Sequence, residues 1–299
     1  MDNEIYNQEW FKQRALNTIK KMSEGVWDYS DSLLLYTPGG ELEYETIQHG
    51  DDPYAELITK PERAYLAKIA SQIVEELPDN FVFVDLGPGT NHKEQFIFDT
   101  AKAQGKSFTY VPVDISQYYL KLAAEYTSAQ GIAVNPAQSA FEELPGKIPG
   151  SESKFVSLGL TFSNYDPKEI IPMLRDIAGP NGHVFINSQI RDRINMSQIS
   201  ELYAHDVRAI ADSKITLLGL DPTADIVARE SDDGVRVWYT LGAITPALEA
   251  KGLKPGDKLF MFQSLRYTKA ALEEALRENA ANYTLIDTGE AFIGAIIKT

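Results

Sequence analysis

The chain has 299 residues, 43% of them hydrophobic and 24% charged, with no cysteine and a formal net charge of −15. That length suits one large domain or a core domain carrying a smaller one, and the missing cysteines exclude disulfides, thiolate metal sites and cysteine nucleophiles. The acidity argues against a nucleic-acid partner, which needs clustered Lys and Arg, and no apolar run approaches the roughly 18 residues of a membrane span.

Residues 1–78 read as helical with a turn-rich insert, YTPGGELEYETIQHGDDPY, and their start lacks the basic-then-apolar order of a signal peptide, so the cytoplasm is the expected location. FVFVDL (81–86) predicts a strand, followed by a helix from Lys93 to Gln104 and a second strand, SFTYVPVDI (107–115). A helix over 116–130, a strand KFVSLGL (154–160), a helix near 167–178 and a strand GHVFINSQI (182–190) continue the alternation. Short, almost wholly apolar strands between helices predict a parallel sheet covered on both faces. Gly105, Gly131 and Gly179–Pro180 fall where those helices should stop.

Residues 195–213 read as one helix, VRVWYTLGAI (235–244) and DKLFMFQSLRY (257–267) as antiparallel strands, and YTLIDTGEAFIGAIIKT as a closing strand pair. The expectation is an α/β, Rossmann-like core over 61–194 and 267–299, with a discontinuous second lobe over 1–60 and 195–266. Ligands of such open sheets bind beyond the carboxyl ends of the strands.

The loop after the first core strand, Gly87-Pro88-Gly89-Thr90-Asn91-His92, lacks the third glycine of the dinucleotide fingerprint G-x-G-x-x-G. Asp85 stands just before it, and Asp114 ends the next strand 29 residues later. A carboxylate there can accept from both hydroxyls of a ribose, while glycine lets the ligand approach the backbone. An acidic loop disfavours a pyrophosphate and favours a cationic ligand such as S-adenosylmethionine, with its ammonium and sulfonium groups. A nicotinamide dehydrogenase is correspondingly disfavoured.

VDLGPGTNHK, YVPVDIS, FEELPGKIP and SLGLTFSN, with LLLYTPGGELEYETI before them, together resemble the histidine-specific, S-adenosylmethionine-dependent methyltransferase family. That family includes ergothioneine-pathway histidine Nα-methyltransferases and fungal enzymes acting on the amine of tryptophan-derived amino acids. The resemblance runs from about Leu33 to Thr299. It implies a class I methyltransferase core, a substrate-binding second lobe, S-adenosyl-L-methionine as cofactor and a small-molecule amine as substrate. By motif, Asp85, Gly87, Gly89, Lys93 and Asp114 would line the cofactor site, with Ala140 and Phe141 near the adenine. The family carries an acidic residue where Ala140 stands, so neighbouring backbone would have to replace that contact.

For the substrate, the resemblance gives Asn164 and Tyr203 to the amino-acid carboxylate, and Tyr36, Tyr44 and Tyr54 to the pocket aromatics. Tyr36 and Tyr54 are the expected catalytic residues, orienting the attacking nitrogen. In LFMFQSLRY, Ser264 matches the family, but Phe262 stands where histidine-using members carry a glutamate and Val237 where they carry methionine. A buried imidazole N–H left without its carboxylate costs about 1–3 kcal/mol, so the expected substrate is an aromatic, indole-type amino acid. Histidine remains the alternative if Gln263 or another polar group replaces the glutamate. A non-catalytic regulatory protein that binds the cofactor is the alternative of another class. His205 is a weak candidate base, and His49, His92 and His183 lack the spacing of a metal site, so no metal is expected.

Overall fold

The computed structural model describes all residues except 1–4, 38–41, 43, 44, 48, 50, 51, 91, 149–151, 206 and 223–225. In chain order the strands are β1 (Lys20–Ser23), β2 (Val26–Asp28), β3 (Asn80–Leu86), β4 (Ser107–Asp114), β5 (Ala133–Val134), β6 (Ala137–Gln138), β7 (Ser153–Gly159), β8 (His183–Gln189), β9 (Ile226–Ser231), β10 (Gly234–Thr240), β11 (Lys258–Leu265), β12 (Tyr283–Asp287) and β13 (Phe292–Lys298). They form two sheets, and the chain divides into two compact units: residues 1–55 with 195–265, and residues 56–194 with 266–299.

The second unit holds the sheet β12-β13-β8-β7-β3-β4-β5, with β6 also pairing with β4. Strands β5, β4, β3, β7 and β8 are parallel, and β13 runs antiparallel to both β8 and β12. Alternation along the strands separates two buried layers, as the strand period of two requires. Phe81 and Phe83 pack with Ile69, Ile73 and Phe98 on one face. Val82, Val84 and Leu86 pack with Ile170, Leu174 and Leu272 on the other. The strand order reverses between β3, whose chain continues to β4, and β7, and in open α/β sheets that switch point is where ligands bind.

Gly294 on β13 is a packing glycine: a Cβ there would lie 2.7 Å from Phe185 Cε2 and 2.9 Å from the Tyr65 hydroxyl. Tyr65 cannot easily yield, because its hydroxyl donates to the Ile286 carbonyl at 2.6 Å. Gly294→Ala is therefore expected to cost about 1–3 kcal/mol of overpacking, read as a lower urea midpoint by circular dichroism; an unchanged midpoint would mean that the β13 contact relaxes freely.

The first unit contains the sheet β1-β2-β11-β10-β9, antiparallel except where β2 runs parallel to β11. Two sequence expectations change here. The N-terminal segment is not helical throughout: the helix Gln8–Thr18 gives way to the β1–β2 hairpin. Residues 195–213 are not one helix either, but fall in two, Met196–His205 and Arg208–Leu217.

Candidate active site

Three loops at the carboxyl ends of the parallel strands converge on Gly87. Its amide donates to the Val113 carbonyl on β4 at 2.9 Å, with φ of 69°. A Cβ on Gly87 would lie 3.7 Å from Thr161 Oγ1, in the turn Leu160–Asn164 after β7, and 3.8 Å from Phe141 Cζ. Gly89 also has a positive φ, 63°, so the loop needs glycine at both positions. Asp114, at the end of β4, is buried and accepts from the Ser116 amide at 2.8 Å, an Asx turn that fixes its carboxylate. The Ser139 amide donates to the Asp114 carbonyl, placing Ala140 and Phe141 directly after this strand end; both are buried.

Beneath the loop lies a buried charged cluster. Asp85 accepts from the Tyr110 hydroxyl at 2.8 Å, and Tyr110 is held by aromatic contacts with Phe83 and Phe98. Lys93 Nζ stands 3.3 Å from Glu62 Oε1. Glu94 is buried as well, and its Oε2 has no hydrogen-bond partner among the described residues. Desolvation raises the Asp85 pKa to about 7, and Glu94 adds to it, against the Lys93 charge and the Tyr110 hydrogen bond. For Lys93, desolvation acts downward, but the Glu62 and Asp85 carboxylates outweigh it and hold the ammonium above its usual value. A cavity of about 20 Å³, room for about one water, is lined by Asp85, Lys93, Glu94, Ser157 and Gly159 among others. A larger hollow, about 420 Å³, lies by Asn80, Ser107 and Glu152 at the opposite, amino end of the strands, away from the switch point.

Three carboxylates, Glu62, Asp85 and Glu94, thus share one buried cation, Lys93. This donor set fits a cationic ligand and repels a phosphate. The residues present fit S-adenosylmethionine: Gly87 and Gly89 for close approach, Asp114 for a ribose, and the carboxylate excess for the cationic end. His92, next in the loop, adopts φ of 50°, a conformation rare outside glycine, and stacks on Tyr126 at 3.7 Å.

In the first unit the Tyr203 hydroxyl donates to Ser264 Oγ at 2.6 Å, and the Tyr203 and Phe262 rings lie 6.2 Å apart. Phe262 pairs in register with Val237 across β10 and β11, and both are buried. Four of the substrate residues read from sequence therefore form one patch. Tyr54 is buried and Tyr36 half-buried at the end of the turn Ser32–Tyr36. Tyr44 lies outside the described residues. Asn164 ends its turn in the second unit, and Asp166 caps the following helix. His205 is exposed at the end of its helix, and no cluster of metal-ligating side chains occurs among the described residues. Among the described residues, no helix is long and apolar enough to cross a membrane.

Sequence reasoning missed Glu62 and Tyr110. Both belong to ordinary patterns, an acidic residue in a first helical turn and an aromatic in an apolar strand, and only pairing across the sheet reveals their role.

A sequence profile described as "Histidine-specific methyltransferase, SAM-dependent" matches residues 16–187. Ergothioneine biosynthesis protein 1 of Neurospora crassa is 23% identical over 164 residues, covering 52% of this chain and 18% of the relative, so the chain spans under a fifth of that protein's length. Among solved structures, an S-adenosylmethionine-dependent methyltransferase from Clostridium acetobutylicum aligns with TM-score 0.42 and 14% identity, over 82% of this chain and 95% of its own. The 1,6-didemethyltoxoflavin-N1-methyltransferase of Burkholderia thailandensis aligns with TM-score 0.45 and 11% identity, over 87% and 88%.

Proposed function

Because the chain belongs to the family of histidine-specific, S-adenosylmethionine-dependent methyltransferases, we propose that it is an N-methyltransferase acting on the amine of an aromatic, indole-type amino acid. When bound, S-adenosylmethionine supplies an electrophilic methyl group on a sulfonium. The loops after β3 and β4 hold the cofactor by Gly87, Gly89 and Asp114, with Asp85 and Lys93 in the charged cluster below and Ala140 and Phe141 beside them. Tyr203 and Ser264 form the polar anchor of the substrate patch, and Asn164 is a further polar group for the amino-acid carboxylate. Tyr36 and Tyr54 orient the nitrogen, which must lose its proton to attack. Asn164 excepted, residues 1–55 and 195–265 serve the substrate, and 56–194 with 266–299 the cofactor.

The observation that carries the substrate reading is Phe262, buried opposite Val237 and beside Tyr203. An imidazole brought there would leave an N–H without a carboxylate, at about 1–3 kcal/mol, whereas an indole ring gains apolar burial of about 25 cal/mol per Å². The second reading is histidine Nα-methylation, favoured by the description of the family itself. Calorimetry with S-adenosylhomocysteine, then with tryptophan, 4-substituted tryptophans and histidine, tests both when joined to mass spectrometry of turnover mixtures. The expected result is a mass gain of about 14 daltons, one CH2, on an indole amino acid, with histidine inert, as apolar complementarity at Phe262 demands. Histidine as the better substrate would overturn the indole reading and leave the methyltransferase one standing.

A further inference from the structure

Glu62 lies in the helix Lys60–Glu75, which continues without a break from the π-helical turn Ala55–Thr59, and a glutamate on a helix ordinarily faces water. This one is buried, with 3% exposure. A single oxygen, Oε1, receives Asn187 Nδ2 at 3.0 Å, the Leu160 amide at 3.3 Å and Lys93 Nζ at 3.3 Å. These donors come from three places: strand β8, the first residue of the turn Leu160–Asn164, and the segment after the glycine loop. Only the amide NH2 of Asn187 can donate to a carboxylate, so Glu62 also fixes which way that side chain points; its Oδ1 is left buried and without a hydrogen-bond partner among the described residues.

Gly159 supplies an independent observation. It ends β7 with φ of 57°, and a Cβ there would lie 3.0 Å from Lys93 Nζ and 3.6 Å from Glu62 Oε1. The strand end is thus bare where the ion pair crosses it. A glutamate merely filling a helix face would need no such opening.

We propose that Glu62 is a positioning residue of the cofactor site: by holding Lys93, Asn187 and the Leu160 backbone on one oxygen, it fixes the lysine after the glycine loop relative to the turn that carries Asn164. The inference rests on the methyltransferase reading. Glu62 acts through Lys93 and the turn, and needs no contact with the ligand.

Glu62→Gln is the discriminating variant. Its amide oxygen still accepts from Leu160 and Asn187, so a merely structural role survives, while the charge that holds Lys93 is lost. S-adenosylhomocysteine affinity by calorimetry is expected to fall about tenfold or more, with only a small change in thermal midpoint. In a double-mutant cycle, E62Q/K93M is expected to bind no more weakly than K93M, because the effect of Glu62 runs through Lys93. If E62Q alone does not fold, the comparison of K93M with E62Q/K93M, which leaves no unpaired lysine, carries the test. An E62Q affinity within about twofold of the parent, or additive losses in the cycle, would overturn the proposal. Failure of the unmodified protein to bind S-adenosylhomocysteine at all would overturn the methyltransferase reading and this inference together, and is recognisable before any variant is made.

Discussion

Lys214→Met is expected to destabilise the unit formed by residues 1–55 and 195–265 by about 2–6 kcal/mol, the cost of orphaning two or more buried carbonyls. Lys214 lies on the helix Arg208–Leu217 and is fully buried. Its Nζ donates to the carbonyls of Tyr29 at 2.6 Å, Met261 at 2.6 Å and Asp31 at 3.0 Å. Three acceptors match the three N–H bonds of an ammonium, and the Tyr29 ring adds a cationic contact at 4.6 Å. Desolvation draws the Lys214 pKa down to about 7, against the Asp31 and Asp28 carboxylates. Met261 is the extra residue of β11 where its register with β10 slips, since Val237 faces Phe262 while Trp238 faces Phe260. Such bulges re-aim the side chains that follow, and here the next residue is Phe262. Methionine matches the stem of lysine but donates nothing. All three tryptophans of the chain, Trp10, Trp27 and Trp238, lie in this unit, so a urea titration followed by tryptophan fluorescence reports on it directly. The midpoint is expected to drop by about 1–3 M at ordinary denaturant sensitivity. A midpoint that stays in place would show that the carbonyls find other donors.

The α/β core was legible because its signals are local. FVFVDL, SFTYVPVD and SKFVSLG are apolar enough to require cover on two faces, and glycines stand where the intervening helices stop. The β3–β4 and β7–β8 pairs join strands that follow one another along the core, whereas the β3–β7 pair skips over β4. The β1–β2 hairpin was not legible, because KKMS is exposed along its length and reads as a polar helix end. Its partner strand β2 is completed by β11, some 230 residues away. The same distance hides the buried charges. Lys214 in a polar helix looks like any solvated lysine until the Tyr29 and Met261 carbonyls are brought to it. Glu62 looks like a helix-start acid until Lys93 and Asn187 arrive from across the sheet. Glycine loops and terminal carboxylates, by contrast, announce themselves, since their chemistry lies within ten residues of one strand.

Cofactor binding is expected to release about half a proton per site at pH 7, and S-adenosylhomocysteine affinity to rise with pH between about 6 and 8. The source is Asp85, whose pKa stands at about 7 rather than the ordinary 3.8. Desolvation is the main cause and the Glu94 charge the second; the Lys93 ammonium and the Tyr110 hydroxyl oppose them, and Glu62 adds a smaller repulsion. Because this pKa is raised, the folded protein keeps a proton that the unfolded chain has released anywhere between the two values. Asp85 therefore lowers stability as pH climbs from about 4 to about 7, and above that range the full cost of a buried carboxylate is present. In the proposed cofactor site, the ammonium of a bound cofactor beside the loop would supply the missing positive charge, favour the carboxylate and expel the proton. Titration calorimetry at pH 7 in phosphate and in Tris, whose ionisation heats differ widely, measures the proton count from the difference in apparent enthalpy. Asp85→Asn is expected to bind more weakly, with equal enthalpies in the two buffers and no slope of affinity with pH. Equal enthalpies in the unmodified protein would mean that Asp85 keeps one protonation state through binding, and would overturn the expected release. The Glu62 carboxylate repels a charge on Asp85, so E62Q should lower the pH at which Asp85 ionises and shrink the proton release.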